Sequence, residues 1–198
     1  MVNSGSVYHP SRVYPARVAL SNREPLLACV YDTGAAVLYD LQQKTSFHIP
    51  GSYARGEVRQ LVFSDSDNYL LVLTASGKMD CYSLSPLRRE FSVPQCFPAD
   101  SADLIDRFLA VEDPEGQRLI LTAANESGKV DPLYRDRAKY WTTVFDTGSW
   151  EITAQPEDVC CWSCRHGNVL LVNGTVTGTC KIYTLKDLTE WARSELGK

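Results

Sequence analysis

An aromatic residue returns at the same place in four short strand-like runs, and this recurrence commits the chain to a repeated architecture. The runs are Leu38-Tyr39-Asp40-Leu41, Cys81-Tyr82-Ser83-Leu84, Val144-Phe145-Asp146-Thr147 and Ile182-Tyr183-Thr184-Leu185. The first step is 43 residues and the last is 38; the middle one stretches to 63 across a polar, charge-rich insertion, Asn125 to Lys139. The clearest unit is Val58 to Leu84. Val58–Phe63 and Tyr69–Thr74 are apolar runs too short for stable helices. Ser64–Asn68 between them is a turn whose side chains can bond their own backbone. Ser76-Gly77 supplies a tight hairpin, after which Met79–Leu84 returns as a third strand. One such meander cannot cover both of its own faces, so it needs copies beside it.

The copies are present. The first begins at Arg17: Val18-Ala19-Leu20, the turn Ser21 to Pro25, Leu26–Tyr31, a hairpin at Asp32-Thr33-Gly34, Ala35–Leu41, and a fourth strand at Thr45–Ile49. The second is Val58 to Leu84, with Glu90–Val93 as its fourth strand. The third runs Arg107–Val111, a turn at Asp113 to Gly116, Arg118–Ala123, the insertion, Tyr140–Phe145, a turn at Asp146-Thr147-Gly148, and Trp150–Thr153. The fourth runs from Val159 through Val169–Asn173 and a hairpin around Thr177-Gly178 to Thr179–Leu185, with no fourth strand. Leu185 to Leu196 instead has helical spacing, with Asp187 and Glu190 placed as a capping box and Leu188, Trp191 and Leu196 on one side.

Periods of roughly 40–45 residues with about four strands each mark propeller blades. The expected fold is all-β: about four blades, over residues 16–50, 56–94, 104–153 and 157–185. An N-terminal arm or edge strand (1–15) precedes them, and a C-terminal helix (186–198) follows. These residues resemble the WD-repeat family from about Arg17 to Leu185. Tyr39-Asp40 and Phe145-Asp146 stand where that family has Trp-Asp, and an apolar-x-Phe-Ser run before a polar turn, Leu61-Val62-Phe63-Ser64, occurs within Val58 to Asp65. The Gly-His dipeptide of the family occurs in no copy, so the repeats are degenerate. The resemblance implies a propeller fold and a scaffolding role, with no catalytic residue.

Four repeats leave closure open. Either a strand at Ser6–Tyr14 completes the fourth blade and closes a small ring, or the array stays open and another chain or a second copy completes it. The open array is favoured. Its first blade carries an apolar face with Val18, Leu20, Leu27, Val30 and Leu38, a patch larger than soluble monomers usually leave bare.

The net charge of −4 gives no general attraction to nucleic acid or anionic membrane, and no apolar run reaches the roughly 20 residues that span a bilayer. Seven cysteines, most within apolar runs, fit buried thiols in a reducing compartment, cytoplasm or nucleus. Cys160-Cys161-Trp162-Ser163-Cys164 has a metal-like spacing but no second ligand pair, so it reads as strand core. His9, His48 and His166 are scattered. Asp32, Asp113 and Asp146 sit in turns, and Arg88-Arg89 and Arg135–Lys139 read as solvated charge. No catalytic, cofactor or metal residue is assigned, and no cofactor is expected. The functional reading is a non-catalytic protein-interaction scaffold, a propeller subunit of a larger assembly. The alternatives are a propeller-type hydrolase or metal-binding enzyme, or a terminal portion of a longer WD-repeat protein.

Overall fold

The structure, a computed structural model, describes residues 14–97, 105, 107–113, 115–125, 139–155, 169–173, 179–184 and 190–195, with the backbone path alone for the last three segments. All regular structure among them is β. Sheet A comprises β1 (Pro15–Leu20), β2 (Leu26–Tyr31), β3 (Ala36–Asp40) and β4 (Thr45–His48). Sheet B comprises β5 (Val58–Phe63), β6 (Tyr69–Thr74), β7 (Met79–Leu84) and β8 (Leu87–Val93). Sheet C comprises β9 (Arg107–Glu112), β10 (Arg118–Asn125), β11 (Lys139–Asp146) and β12 (Ile152–Ala154). Each is antiparallel, with its strands in sequence order. A three-stranded sheet D follows: β13 (Val169–Asn173), β14 (Thr179–Thr184) and β15 (Glu190–Glu195).

The turns show that the repeats are physical as well as statistical. Ser21, Ser64 and Asp113 each follow the first strand of a sheet. The backbone N–H of each donates to the carbonyl that opens the second strand, at Leu26, Tyr69 and Arg118. Their side-chain oxygens accept the N–H of the same three residues. Asp40 and Asp146 occupy another shared place: each Oδ1 accepts two backbone N–H groups beyond the third strand. Small polar side chains thus satisfy the donors that a sharp reversal would leave bare.

The hairpin glycines mark a third shared place. Gly34 and Gly77 adopt φ of 88° and 82°. Each donates to the carbonyl three residues earlier, Tyr31 or Thr74. A linker passes directly over both. A Cβ on Gly34 would sit 1.8 Å from the Tyr53 carbonyl oxygen, and one on Gly77 would sit 3.3 Å from that of Phe97. The two linkers push Tyr53 and Phe97 into the spaces between sheets, where both rings are buried.

The first strands β1, β5 and β9 lie side by side in order, and Arg17 Nε donates to the Arg59 carbonyl at 2.6 Å. One core fills the space between sheets A and B, with Ala28, Val30, Ala36 and Leu38 against Leu61, Phe63, Leu70 and Val72. A second lies between B and C, with Leu71, Leu73, Met79 and Cys81 against Phe108, Leu119, Leu121 and Phe145. Trp150 stacks on Phe91 at 4.3 Å and meets Tyr69 edge-on at 5.3 Å. β6 is apolar at nearly every position because it is central in a sheet covered on both faces. The outer strand β4 is exposed throughout.

Several boundaries differ from expectation. The helix over 186–198 does not form across Glu190–Glu195, which is strand β15, paired with β14 from Thr179↔Glu195 to Tyr183↔Glu190. A helix of about twelve residues is marginal by itself, and the open edge of β14 offers a ladder that outweighs a capping box. The fourth copy therefore does have a strand after its third. β8 starts at Leu87, three residues early, because Ser85-Pro86 turns the chain at once. The insertion is shorter than read, since Asn125 and Lys139 pair as the ends of β10 and β11. Val159–Cys164 and all of Ser6–Tyr14 except Tyr14 fall outside the described residues.

Gly34→Ala should be the costliest glycine substitution. Gly116, at φ 68°, has open space around its Cβ direction. Its replacement by Ala should cost about 1–2 kcal/mol, the strain of a left-handed non-glycine residue. Gly34→Ala adds a clash with backbone, so its urea midpoint should fall well below that of Gly116→Ala.

Candidate interaction face on the first sheet

Residues opposite one another in an antiparallel ladder share a face, so the registers sort every strand into two sets. In sheet B the set turned toward sheet A includes Leu61, Phe63, Leu70, Val72 and Tyr82. In sheet C the set turned toward sheet B includes Leu119, Leu121 and Phe145. Tyr82 and Phe145 are both 0% exposed. The corresponding set in sheet A is Val18, Leu20, Leu27, Cys29 and Tyr39. Val18 is 59% and Leu20 68% exposed on β1, Leu27 and Tyr39 are half-buried, and Cys29 is buried. This face of sheet A thus keeps the residue types that sheets B and C bury. Val30 and Leu38, expected on the bare face, point the other way into the A–B core; the strand alternation separates them from Leu27 and Tyr39.

The polar groups on these faces differ in an informative way. At one shared register sheet B has Asp80, sheet C has Thr143 and sheet A has Val37. Asp80 Oδ2 accepts from the Tyr53 hydroxyl at 3.0 Å and pairs with Lys78 Nζ at 3.0 Å. The Tyr53 and Tyr82 hydroxyls lie 2.7 Å apart. Thr143 Oγ1 donates to the Cys96 carbonyl at 3.5 Å. Both interior sheets therefore bond, at this register, to the linker arriving from the sheet before. Val37 cannot. In sheet A the Tyr31 and Tyr39 hydroxyls instead bond each other. Burial, then the paired hydroxyl, pushes the Tyr31 and Tyr53 phenols well up from their ordinary range; burial does the same to Tyr82. All three stay neutral near pH 7.

A polar clasp holds the sheets in register at one end. Asp67, buried and at φ 61°, reaches into the β1–β2 turn of sheet A. Its Oδ1 accepts from Asn22 N at 2.8 Å, and its Oδ2 accepts from Arg23 N at 2.6 Å and Glu24 N at 3.2 Å. On the other side Asp65 Oδ1 accepts from Glu112 N at 2.8 Å, and Asn68 Nδ2 donates to Glu112 Oε2 at 2.7 Å. Neither Asp67 nor Tyr53 stands out in the sequence as more than a turn residue and a linker aromatic. The signal that picks out Tyr53 is its spacing from Gly34, which Phe97 nearly repeats from Gly77.

Of the chemistry-bearing residues in the sequence, Cys160, Cys161, Cys164, His9, His166 and Arg135 to Ala138 fall outside the described residues. His48 is exposed on β4. Arg88 pairs with Glu90 at 2.9 Å. Asp113 and Asp146 serve their turns, and hydrogen bonds from Ser149 hold the Asp146 carboxyl below its ordinary range. Asp32 N donates to the Tyr14 carbonyl, and one buried Asp32 carboxylate oxygen has no hydrogen bond. No three His, Cys, Asp or Glu side chains gather as metal ligands among the described residues. No protein-family model and no curated protein matches the chain.

Two measurements probe this arrangement. Tyr82→Ala should cost about 3–5 kcal/mol in urea unfolding, the usual toll of deleting a buried ring. Tyr39→Ala, at the same register on the bare face, should cost clearly less; equal costs would mean that the face of sheet A is covered.

The second concerns the buried thiols Cys29, Cys81 and Cys96. Burial raises all three, and Cys96 goes from 9.0 to about 12. The unfolded chain releases these protons near pH 9 while the native state keeps them. Stability should therefore hold steady below pH 9 and fall as pH rises toward 12. A urea midpoint that is flat between pH 9 and 11 would contradict the assignment.

Proposed function

We propose that sheets A to D are successive blades of a propeller of degenerate WD-repeat type, and that the protein is a non-catalytic interaction scaffold, one subunit of a larger assembly. The in-order antiparallel sheets, the adjacent first strands and the shared turns support the blade reading. The observation that carries the functional part is the face of sheet A that is bare along β1, at Val18 and Leu20. Its counterparts in B and C are buried, and an exposed apolar patch of this kind marks an association surface. The polar turns and the insertion between β10 and β11 would present further contacts on a rigid frame. The buried thiols support a reducing compartment, cytoplasm or nucleus. No helix among the described residues is long and apolar enough to cross a membrane.

A photo-crosslinking amino acid at position 20 tests the proposal in extract from cells expressing the protein. It should give a discrete protein adduct of defined mass, whereas the same group at Ser92, exposed on β8, should not. No adduct at position 20, or the same smear from both positions, would argue against a dedicated interaction face.

A further inference from the structure

We propose that the groove between the outer strands of sheets A and B is a docking slot for an aromatic side chain of a partner polypeptide, carried beside a carboxylate. The slot is a separate surface from the strip at Val18 and Leu20, and it follows from equivalences among sheets A, B and C alone.

The B–C groove shows how the fold fills such a place. Four rings meet there: Phe91 on the outer strand of sheet B, Tyr69 at the start of its second strand, and Phe145 and Trp150 from sheet C. Phe91 stacks on Trp150 at 4.3 Å and lies 5.1 Å from Phe145, and Tyr69 meets Trp150 edge-on at 5.3 Å. Phe91, Tyr69 and Trp150 all pack on the core between the two sheets.

The registers carry this arrangement over to the A–B groove. Phe91 pairs with Cys81 and Phe47 with Leu38, and both of those third-strand residues face the next sheet. Phe47 is thus the counterpart of Phe91. Leu26 opens β2 as Tyr69 opens β6, and Tyr82 is the counterpart of Phe145. Trp150 stands two residues before Ile152, the outer-strand partner of Phe145; Leu87 stands two before Arg89, the partner of Tyr82. Two of the four rings are therefore leucines here, Leu26 and Leu87, and both pack on the A–B core. Phe47 has no counterpart of the indole that covers Phe91. It is 49% exposed, and no other ring contacts it among the described residues.

The occupant's chemistry follows from what is missing and what lies beside it. A planar ring laid on Phe47 would restore the stack that Trp150 makes, gaining from burial and from ring geometry together. Arg89 shares the face of Tyr82, is exposed, and makes no ion pair among the described residues. A guanidinium there suits a carboxylate next to the incoming aromatic residue, and it can also lie over the ring itself. β4 is the last strand of its sheet and exposed throughout, so an extended segment can run along it and turn a side chain into the groove. Ser92 lies outside the slot, further along β8 beside Asp80, where Tyr53 crosses.

The test selects short random peptides on the full chain and measures their binding by fluorescence anisotropy. Enriched peptides should share a Trp, Phe or Tyr next to an Asp or Glu, and changing that aromatic residue to Ala should weaken binding about tenfold or more. Leu87→Trp, which supplies the missing ring from sheet B itself, should weaken it as much. Arg89→Glu, at an exposed position, is the second variant and should weaken it too, whereas Leu20→Glu on the other surface should not. Circular dichroism checks that each variant is folded. The proposal is overturned if no peptide is enriched, or if bound peptides ignore both Leu87→Trp and Arg89→Glu. Peptides without an aromatic residue that both variants release would overturn the aromatic occupant. A dimer of the chain that Leu87→Trp dissociates would overturn the separate partner, since a second copy would then fill the slot.

Discussion

A β-sheet that is apolar on both faces must be covered on both, and sheet B shows what that requires. β6 runs Tyr69 to Thr74 with Leu70 and Val72 turned to one neighbour and Leu71 and Leu73 to the other. No arrangement of sheet B alone could bury both sets. At roughly 25 cal/mol per Å² of apolar surface, exposing either face would outweigh the few kcal/mol by which small domains are stable. Sheets A and C are therefore conditions for sheet B to exist, and stability passes from neighbour to neighbour, as in other stacked-repeat proteins.

Apolar packing by itself would let the sheets slide, and the polar contacts prevent it. The clasp at Asp67 ties one end of sheet B to three successive backbone N–H groups of sheet A, and Asp65 ties the same turn to the start of sheet C. Hydrogen bonds to a charged acceptor are stronger than neutral ones, and these are directional where the core is not. At the other end, linkers lie over Gly34 and Gly77 so closely that no side chain fits beneath the first. Each linker then drops an aromatic ring between the sheets it joins. The sheets are thus pinned at both ends while their cores supply most of the free energy.

Much of this was legible in the sequence because the period is written in residues with one clear physical job. The aromatics at Tyr39, Tyr82 and Phe145, the turn residues Ser64 and Asp113, and the hairpin glycines announced strands and reversals nearly where they are. What could not be read was anything that depends on which face a strand turns to which neighbour. Val30 and Leu38 look as available as Leu27 and Tyr39 until the registers separate them. Asp80 reads as a charged residue on an ordinary strand; only the approach of Tyr53, 27 positions earlier, explains a carboxylate in the core. The C-terminal segment misled for a related reason. The capping box at Asp187 and Glu190 is a local signal, while the edge of β14 that recruits Glu190–Glu195 is a tertiary one. Local signals decide where competition is absent.

The bare face is also chemically distinct from its counterparts, and the difference bears on how it can exist without a neighbour. If the partner-facing side of sheet B were opened to water, Asp80 and Tyr82 would lose Tyr53, and a network built around a buried carboxylate would come apart. Sheet A has no carboxylate at that register. Val37 replaces the carboxylate, and the Tyr31 and Tyr39 hydroxyls bond each other. What remains uncovered is aliphatic, at Val18 and Leu20, and aliphatic surface in water costs free energy without breaking any hydrogen bond. Exposure of Val18 and Leu20 therefore strands no polar group of their side chains. At this register sheets B and C spend a polar side chain on the linker that joins them to the sheet before, and sheet A spends an aliphatic one.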